Sequence, residues 1–287
     1  MKILIAKDAG YCFGVRDAVN LAYETAEDHG DVYMLGHIVH NENVVKDLDE
    51  AGAKVVGKLK DVPKGKPIMF RAHGTSTKVW EKAQKQNMNI IDATCPLVKE
   101  IHDEVIKLEK EGRKIIIIGD HGHDEVVGIA SQIKDSIIVA TPDEAQKLRK
   151  MKKAGIVSQS TQTIENVQEI INILMTKVFD LRFVNTICFP TKRNQQQLKD
   201  LSEKCDVMVV IGSFTSANSK RLTQLATERN DRSYQVTCAD DLNSEWFNDS
   251  DIVGVTAGAS TPDNIIEEVT TRIKSFSNNL EEELIYE

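Results

Sequence analysis

Residues 12–36, CFGVRDAVNLAYETAEDHGDVYMLG, run from a cysteine through an amphipathic stretch into a short apolar run that a glycine closes. The same order returns twice. Cys95 and Cys188, like Cys12, are each followed 24 residues later by such a glycine: Gly36 after VYML, Gly119 after IIII and Gly212 after MVVI. Agreement at this distance marks an internal repeat. Four residues beyond the glycines stand His40, His123 and Ser216, and two further on Glu42, Glu125 and Asn218. Later in each third another apolar run ends in a small polar turn: RAHGTS around His73, SQSTQT around Thr163 and AGASTP around Ser260. Each third thus offers one cysteine and two polar positions at strand ends.

Around these landmarks, runs rich in Ile and Val alternate with amphipathic stretches of ten or more residues, the pattern of an α/β protein with mainly parallel sheets. Strands are expected at KILIA, DVYML, PIMFR, NIIDA, KIIIIG, SIIVA, GIVSQ, LRFVN, VMVVIG and DIVGVT. Thr141-Pro142-Asp143-Glu144 and Thr261-Pro262-Asp263 each read as a capping threonine with proline at the first helical position. In parallel sheets, ligands gather at the carboxyl ends of strands. Three such units packed about a pseudo-threefold axis would turn all nine repeat positions toward one centre. The chain is expected to divide at its cysteines: an N-terminal strand with the first cysteine over 1–12, three similar small α/β domains over 13–95, 96–188 and 189–280, and an acidic C-terminal tail over 281–287.

Composition narrows the function. The chain has 287 residues, with 36 basic against 44 acidic side chains, a net charge of −8, and no basic cluster. That balance argues against a sequence-independent hold on nucleic acid. The start, MKILIAKDAG, is too short in apolar residues for a signal peptide, and no run approaches a membrane span. A cytoplasmic location is expected, where structural disulfides are rare. Five cysteines, an odd number, then fit thiols or ligands better than a disulfide framework.

Cys205 and Cys238 lie beside apolar runs outside the repeat and read as small buried hydrophobes. Cys12, Cys95 and Cys188 each follow a strand and open a helix, where the helix dipole favours thiolate. Three related thiols describe a soft-metal site better than a single nucleophile. Zinc with an open place is one option; an iron–sulfur cluster with one iron left free suits an all-sulfur shell. Compact CxxC patterns are absent, which favours catalysis over electron carriage.

Among the histidines, His29 and His102 read as solvated surface residues, and His37 and His121 are undecided. His40, His73 and His123 sit in strand-end turns. With Thr163, Ser216, Asn218 and Ser260 they form a neutral set rich in donors, suited to a phosphate or diphosphate, and protonated histidine would strengthen the hold. Glu125 is the carboxylate in that set, placed to deliver protons; its alternative role is a first-turn partner of the helix dipole. The His123-Asp124-Glu125 triplet matches the H-x-E of zinc deaminases, but their P-C-x-x-C is missing.

The stretches GYCFGVRDAV, VHNENVV, RAHGTS, DATCPLVKEIH, GHDEV, SQSTQT, CFPTKRNQ, GSFTSANSKRL and TAGASTPD, in order along nearly the whole chain, resemble the 4-hydroxy-3-methylbut-2-enyl diphosphate reductase family. The resemblance implies a trefoil of three α/β domains around a central 4Fe-4S cluster held by Cys12, Cys95 and Cys188. It places His40, His73, His123, Thr163, Ser216, Asn218 and Ser260 around a small allylic diphosphate, with Glu125 as proton donor and Thr163 as relay. The implied reaction is two-electron reductive dehydroxylation to isopentenyl and dimethylallyl diphosphate, the substrate's hydroxyl meeting the free iron. Electrons would come from ferredoxin or flavodoxin with its reductase; no nucleic acid or membrane is implied. One departure stands out: Ala217 occupies a place where the family commonly has serine, so a hydroxyl is lost there. A zinc hydrolase and a non-enzymatic cluster protein remain the rival readings of the same residues.

Overall fold

A computed structural model of the chain describes residues 1–277 and 282–286. The chain forms two compact units: Met1–Val15, His40–Val44 and Phe189–Glu287 make one, Arg16–Val39 and Val45–Cys188 the other. The elements follow the repeat. After β1 (Lys2–Ala6), the first third runs α1 (Phe13–His29), β2 (Val32–Leu35), α2 (Glu42–Glu50), β3 (Ala53–Val56), β4 (Ile68–Phe70), α3 (Thr77–Lys85) and β5 (Ile90–Asp92). The second runs α4 (Pro96–Lys110), β6 (Lys114–Ile118), α5 (Asp124–Ala130), β7 (Ser136–Val139), α6 (Pro142–Lys147), β8 (Met151–Ser158), α7 (Ile164–Met175) and β9 (Val178–Phe183). The third runs α8 (Phe189–Ser202), β10 (Val207–Ile211), α9 (Ala217–Thr227), β11 (Ser233–Val236), β12 (Ile252–Ala257), α10 (Asp263–Lys274) and β13 (Glu282–Tyr286).

The larger unit holds two sheets, ordered β3-β2-β4-β5 and β7-β6-β8-β9; the other unit holds one, ordered β11-β10-β12-β1-β13. Every pairing among the described strands is parallel. The order is the same in all three, and β1 fills in the third sheet the place that β5 and β9 fill in the first two. Hence Cys12 follows β1 as Cys95 follows β5 and Cys188 follows β9.

The apolar runs show why these strands are interior. In β6, Ile115 and Ile117 pack on one face with Ile101, Val105 and Leu108 of α4, while Ile116 and Ile118 pack on the other with Val167, Ile170 and Leu174 of α7. In β10, Val207, Val209 and Ile211 meet Ile265, Val269 and Ile273 of α10, and Met208 and Val210 meet Leu198 and Leu201 of α8. A strand buried on both faces needs unbroken apolar sequence, and this is what a parallel sheet with helices on each side imposes.

Three expectations require correction. The stretch read as a tail contains β13, which pairs in register with β1; an open parallel edge and the β-prone run Leu284-Ile285-Tyr286 favour a strand there. Residues 278–281 and 287, and with them the boundary drawn at 280, lie outside the described residues. At Thr141 the cap forms as read, accepting from Glu144 N–H at 3.4 Å. At Thr261 it does not: the hydroxyl donates to the Ile211 carbonyl at 3.1 Å, and α10 starts one residue later than expected, after Pro262.

Candidate active site

Each cysteine is fixed by the same backbone bond. Cys95 N–H donates to the Ala72 carbonyl, Cys188 N–H to Ser160 and Cys12 N–H to Ala259, each acceptor lying in the turn that follows the third strand of its sheet. The repeat glycines share another: Gly36 N–H donates to Val56, Gly119 to Val139 and Gly212 to Val236, closing the first strand against its neighbour. Two strand-end turns and one cysteine are thereby set in register in every third. Gly10, two residues before Cys12, has φ +92°, and a Cβ there would stand 2.7 Å from Ile266 Cδ1, so only glycine fits.

In the larger unit the structure brings together His73, His123 and Glu125. The His73 and His123 rings meet edge to face with centroids 5.7 Å apart. His123 caps α5, its Nδ1 accepting the Glu125 N–H at 3.2 Å. That bond requires an unprotonated Nδ1, so the neutral ring offers its Nε2–H as a donor; the strengthening expected from protonation does not apply while His123 caps. Glu125 is 1% exposed, and its carboxylate accepts from Ser160 N–H at 2.5 Å and from Ser160 Oγ at 2.8 Å.

The hydroxyl beside Glu125 is therefore Ser160, not Thr163. Thr163 lies three residues on, where its Oγ1 caps α7 by accepting from Asn166 N–H at 3.2 Å. Ser160 was legible as part of SQSTQT, and Cys188 N–H on its own carbonyl shows which residue of that run occupies the turn.

In the other unit, Ser260 Oγ donates to the His40 carbonyl at 3.1 Å. Ser216 caps α9, accepting from Ser219 N–H at 3.3 Å, and Ala217 is the first residue of that helix. In the first third the cap has moved one residue: Asn41, not His40, accepts from Asn43 and Val44 N–H at 3.1 and 3.2 Å. Glu42, the repeat counterpart of Glu125, accepts from Ser213 Oγ at 2.8 Å and Thr215 Oγ1 at 3.1 Å and so holds the GSFTS turn. Asn218 is 6% exposed and its Nδ2 has no partner among the described residues. A buried amide donor left open in this way suits an anionic acceptor.

Other single residues depart from expectation. His102 is half-buried: its ring lies against Gly74 and Gly128, Nε2 has no partner among the described residues, and burial pushes its pKa below the ordinary 6.5. It borders a cavity of about 270 Å³ with Thr75, Asp92 and Lys99. Cys205 is buried as read, its thiol pushed up to about 12 by burial, whereas Cys238 is only half-buried. His121 bonds Glu144 at 2.9 Å on the surface.

The chemistry of the thiols fits an iron–sulfur cluster. Cys12, Cys95 and Cys188 are each half-buried. Each directly precedes a helix, α1, α4 or α8, whose positive end favours thiolate. Phe13 and Phe189, the first residues of α1 and α8, stack at 5.6 Å. Among the described residues no three His, Cys, Asp or Glu side chains are gathered closely enough to hold a single metal ion; Cys12 belongs to one unit, Cys95 and Cys188 to the other.

A parallel α/β protein with thiols and proton-bearing groups at its strand ends has the form of an enzyme that works on a ligand held there. Residues 3–274 match the LytB protein family, and the chain belongs to it. It is 40% identical over 280 residues to the 4-hydroxy-3-methylbut-2-enyl diphosphate reductase of Geotalea uraniireducens, covering 97% of this chain and 99% of that one. The reductase of the same name from Caldanaerobacter subterraneus is 40% identical over 288 residues, covering 99% of this chain and all of the relative. Among solved structures, the E-1-hydroxy-2-methyl-but-2-enyl-4-diphosphate reductase of Plasmodium falciparum superposes with TM-score 0.93 at 30% identity, over 100% of this chain and 93% of that one. A structure titled as (E)-4-hydroxy-3-methyl-but-2-enyl diphosphate reductase, the terminal enzyme of the non-mevalonate pathway, superposes with TM-score 0.70 at 36% identity, over 96% of this chain and 99% of that one.

Proposed function

We infer that the chain is a 4-hydroxy-3-methylbut-2-enyl diphosphate reductase, acting at the last step of the non-mevalonate route to isoprenoids. The observation that carries this is near-full-length similarity to reductases of that name, at 40% identity. The reaction replaces a C–OH bond by C–H: two electrons and two protons enter, the hydroxyl leaves with one proton as water, and the allylic carbon skeleton takes the other. The products are isopentenyl and dimethylallyl diphosphate.

In this reading Cys12, Cys95 and Cys188 would be the ligands of a 4Fe-4S cluster. When bound, that cluster supplies the electrons and a free coordination place. The protein's own residues do the rest. Asn218 Nδ2, the Ser216 hydroxyl, the Ser260 hydroxyl turned from the His40 carbonyl, and His40, His73 and His123 hold the diphosphate, with His123 donating from Nε2. Glu125 delivers the proton to the leaving hydroxyl. Its partner Ser160 both donates and accepts, so it can pass a proton on without carrying charge. In this reading Ser160 takes the relay role that the family resemblance gave to Thr163. Ferredoxin or flavodoxin with its reductase would supply electrons in the cytoplasm; no helix among the described residues is long and apolar enough to cross a membrane.

Anaerobic purification tests the reading. The protein is expected to be brown, to contain iron and sulfide, and to consume the allylic diphosphate with a reduced donor; Cys12→Ser, Cys95→Ser and Cys188→Ser each abolish turnover. Glu125→Gln should lose at least about 100-fold in kcat, the usual scale of a general acid, while substrate still binds. A colourless protein with stoichiometric zinc would sink the reductase in favour of a hydrolase, and a brown protein that binds no diphosphate would leave a cluster protein without this activity.

A further inference from the structure

The turn that carries His73 is pinned to α5 at both ends. At its far end, Thr77 donates its N–H to Ser131 Oγ at 3.2 Å and its Oγ1–H to the Ser131 carbonyl at 2.8 Å, where α5 stops. Midway, Gly128 on α5 lies so close that a Cβ there would be 3.5 Å from the His73 carbonyl oxygen. At its near end, Arg71 Nη1 donates to Asp124 Oδ2 at 2.5 Å, both side chains being mostly buried at 23% and 29% exposure.

Asp124 is the first residue of α5, between the capping His123 and Glu125. Arg71 stands two residues before His73. Their ion pair therefore links the backbone of the His73 turn directly to the helical turn that holds the proton donor. Arg71 has little freedom to do otherwise: its guanidinium lies against Gly36, where φ is +76° and a Cβ would stand 2.7 Å from Nη1. The repeat glycine at that place thus also makes room for the guanidinium. Its Nε is buried and makes no hydrogen bond among the described residues, so the Asp124 contact is what orients the group.

We propose that the Arg71–Asp124 ion pair is a positioning device that sets the distance between His73 and the Glu125–Ser160 pair, without touching the substrate. The proposal rests on the reductase reading, in which His73 holds the diphosphate and Glu125 delivers a proton. A shift of about 1 Å between a group that orients substrate and one that transfers a proton costs up to about 100-fold in rate. Binding, shared among several residues, changes far less.

The test is a double-mutant cycle on the cluster-loaded enzyme with the allylic diphosphate, reading kcat, KM and melting temperature for Arg71→Ala, Asp124→Ala, Arg71→Lys, the single reversals Arg71→Asp and Asp124→Arg, and the reversed pair that combines those two. Each alanine variant is expected to lose about tenfold in kcat with KM within threefold. Arg71→Lys, which keeps the charge but not the planar fork, should fall between wild type and alanine. The reversed pair should recover most of the loss, even if its melting temperature stays below wild type. Alanine variants with wild-type kcat and a lowered melting temperature would overturn the proposal, as would a reversed pair no faster than either single variant of it. Glu125→Gln in the same assay reports on the underlying reading: turnover there removes Glu125 as donor, whereas a dead Glu125→Gln beside a fully active Arg71→Ala removes only the ion pair's role.

Discussion

Ser160 and Thr163 are three residues apart and chemically alike, yet one bonds the buried carboxylate and the other caps a helix. Sequence pattern alone does not separate them, because SQSTQT offers hydroxyl or amide groups throughout and the deciding factor is how many residues the turn spends after β8. The expected consequence is a split. Ser160→Ala should lower kcat about 10- to 100-fold through loss of the relay and of one bond to Glu125, whereas Thr163→Ala should cost about 1 kcal/mol of stability as a lost cap and leave kcat nearly intact. Steady-state kinetics beside urea melts of the two variants decide between the hydroxyls. His102 shows the same limit from another side. Its charged neighbours Glu100, Asp103 and Glu104 suggest solvent, but it falls one turn from Val98 and three residues from Val105, both buried. That spacing puts it at the edge of the apolar stripe of α4, a signal the sequence did contain.

At the scale of elements, the ten expected strands all form, and what was missed is edges. β3 (AKVV) and β11 (SYQV) border their sheets and need fewer apolar residues than strands covered on both sides. Such segments give a weak periodic signal, so these two were missed, while the edge strands β5, β7 and β9, marked by Ile-Ile pairs or by Leu and Phe, were readable. The entry to β11 and β12 is tied by Arg232, whose Nη2 and Nη1 donate to Asp251 at 2.6 and 3.1 Å. Burial alone would raise the Asp251 carboxyl, but the bonds from Arg232 and from Asn248 N–H outweigh it and hold the group below its ordinary 3.8. A carboxylate with a lowered pKa contributes stability that is complete above 3.8 and is lost as the pH falls through the lower value of the folded state. Arg232→Ala should therefore cost about 2 kcal/mol at neutral pH, less than a fully buried pair because Arg232 is a third exposed. The difference from wild type should shrink in urea melts taken at progressively more acid pH.

For the whole molecule, the spacing from cysteine to glycine was enough to reveal three copies of one plan, and both ends of each copy are tied by equivalent backbone bonds, at the cysteines and at the glycines. It did not reveal that the third copy is completed from the other end of the chain. β1 pairs with β12 from Lys2 opposite Ile252 to Ile5 opposite Val255, and with Ile3 wholly buried in the core of that sheet. Deleting residues 1–6 should thus unfold the unit built on β10 and β12, seen as loss of cooperative melting and early proteolysis within 189–277, where trimming a surface terminus would leave both unchanged. The same pairing sets a schedule for biosynthesis. β1 must wait for β12, made about 250 residues later, so while the ribosome works through the first two sheets the apolar segment Lys2–Ala6 stays without its sheet. Contacts this distant in sequence form slowly and leave such segments open to chaperones and to aggregation. A cell that makes this enzyme therefore carries, for the duration of each chain's synthesis, an exposed strand whose protection depends on how quickly the last third is delivered.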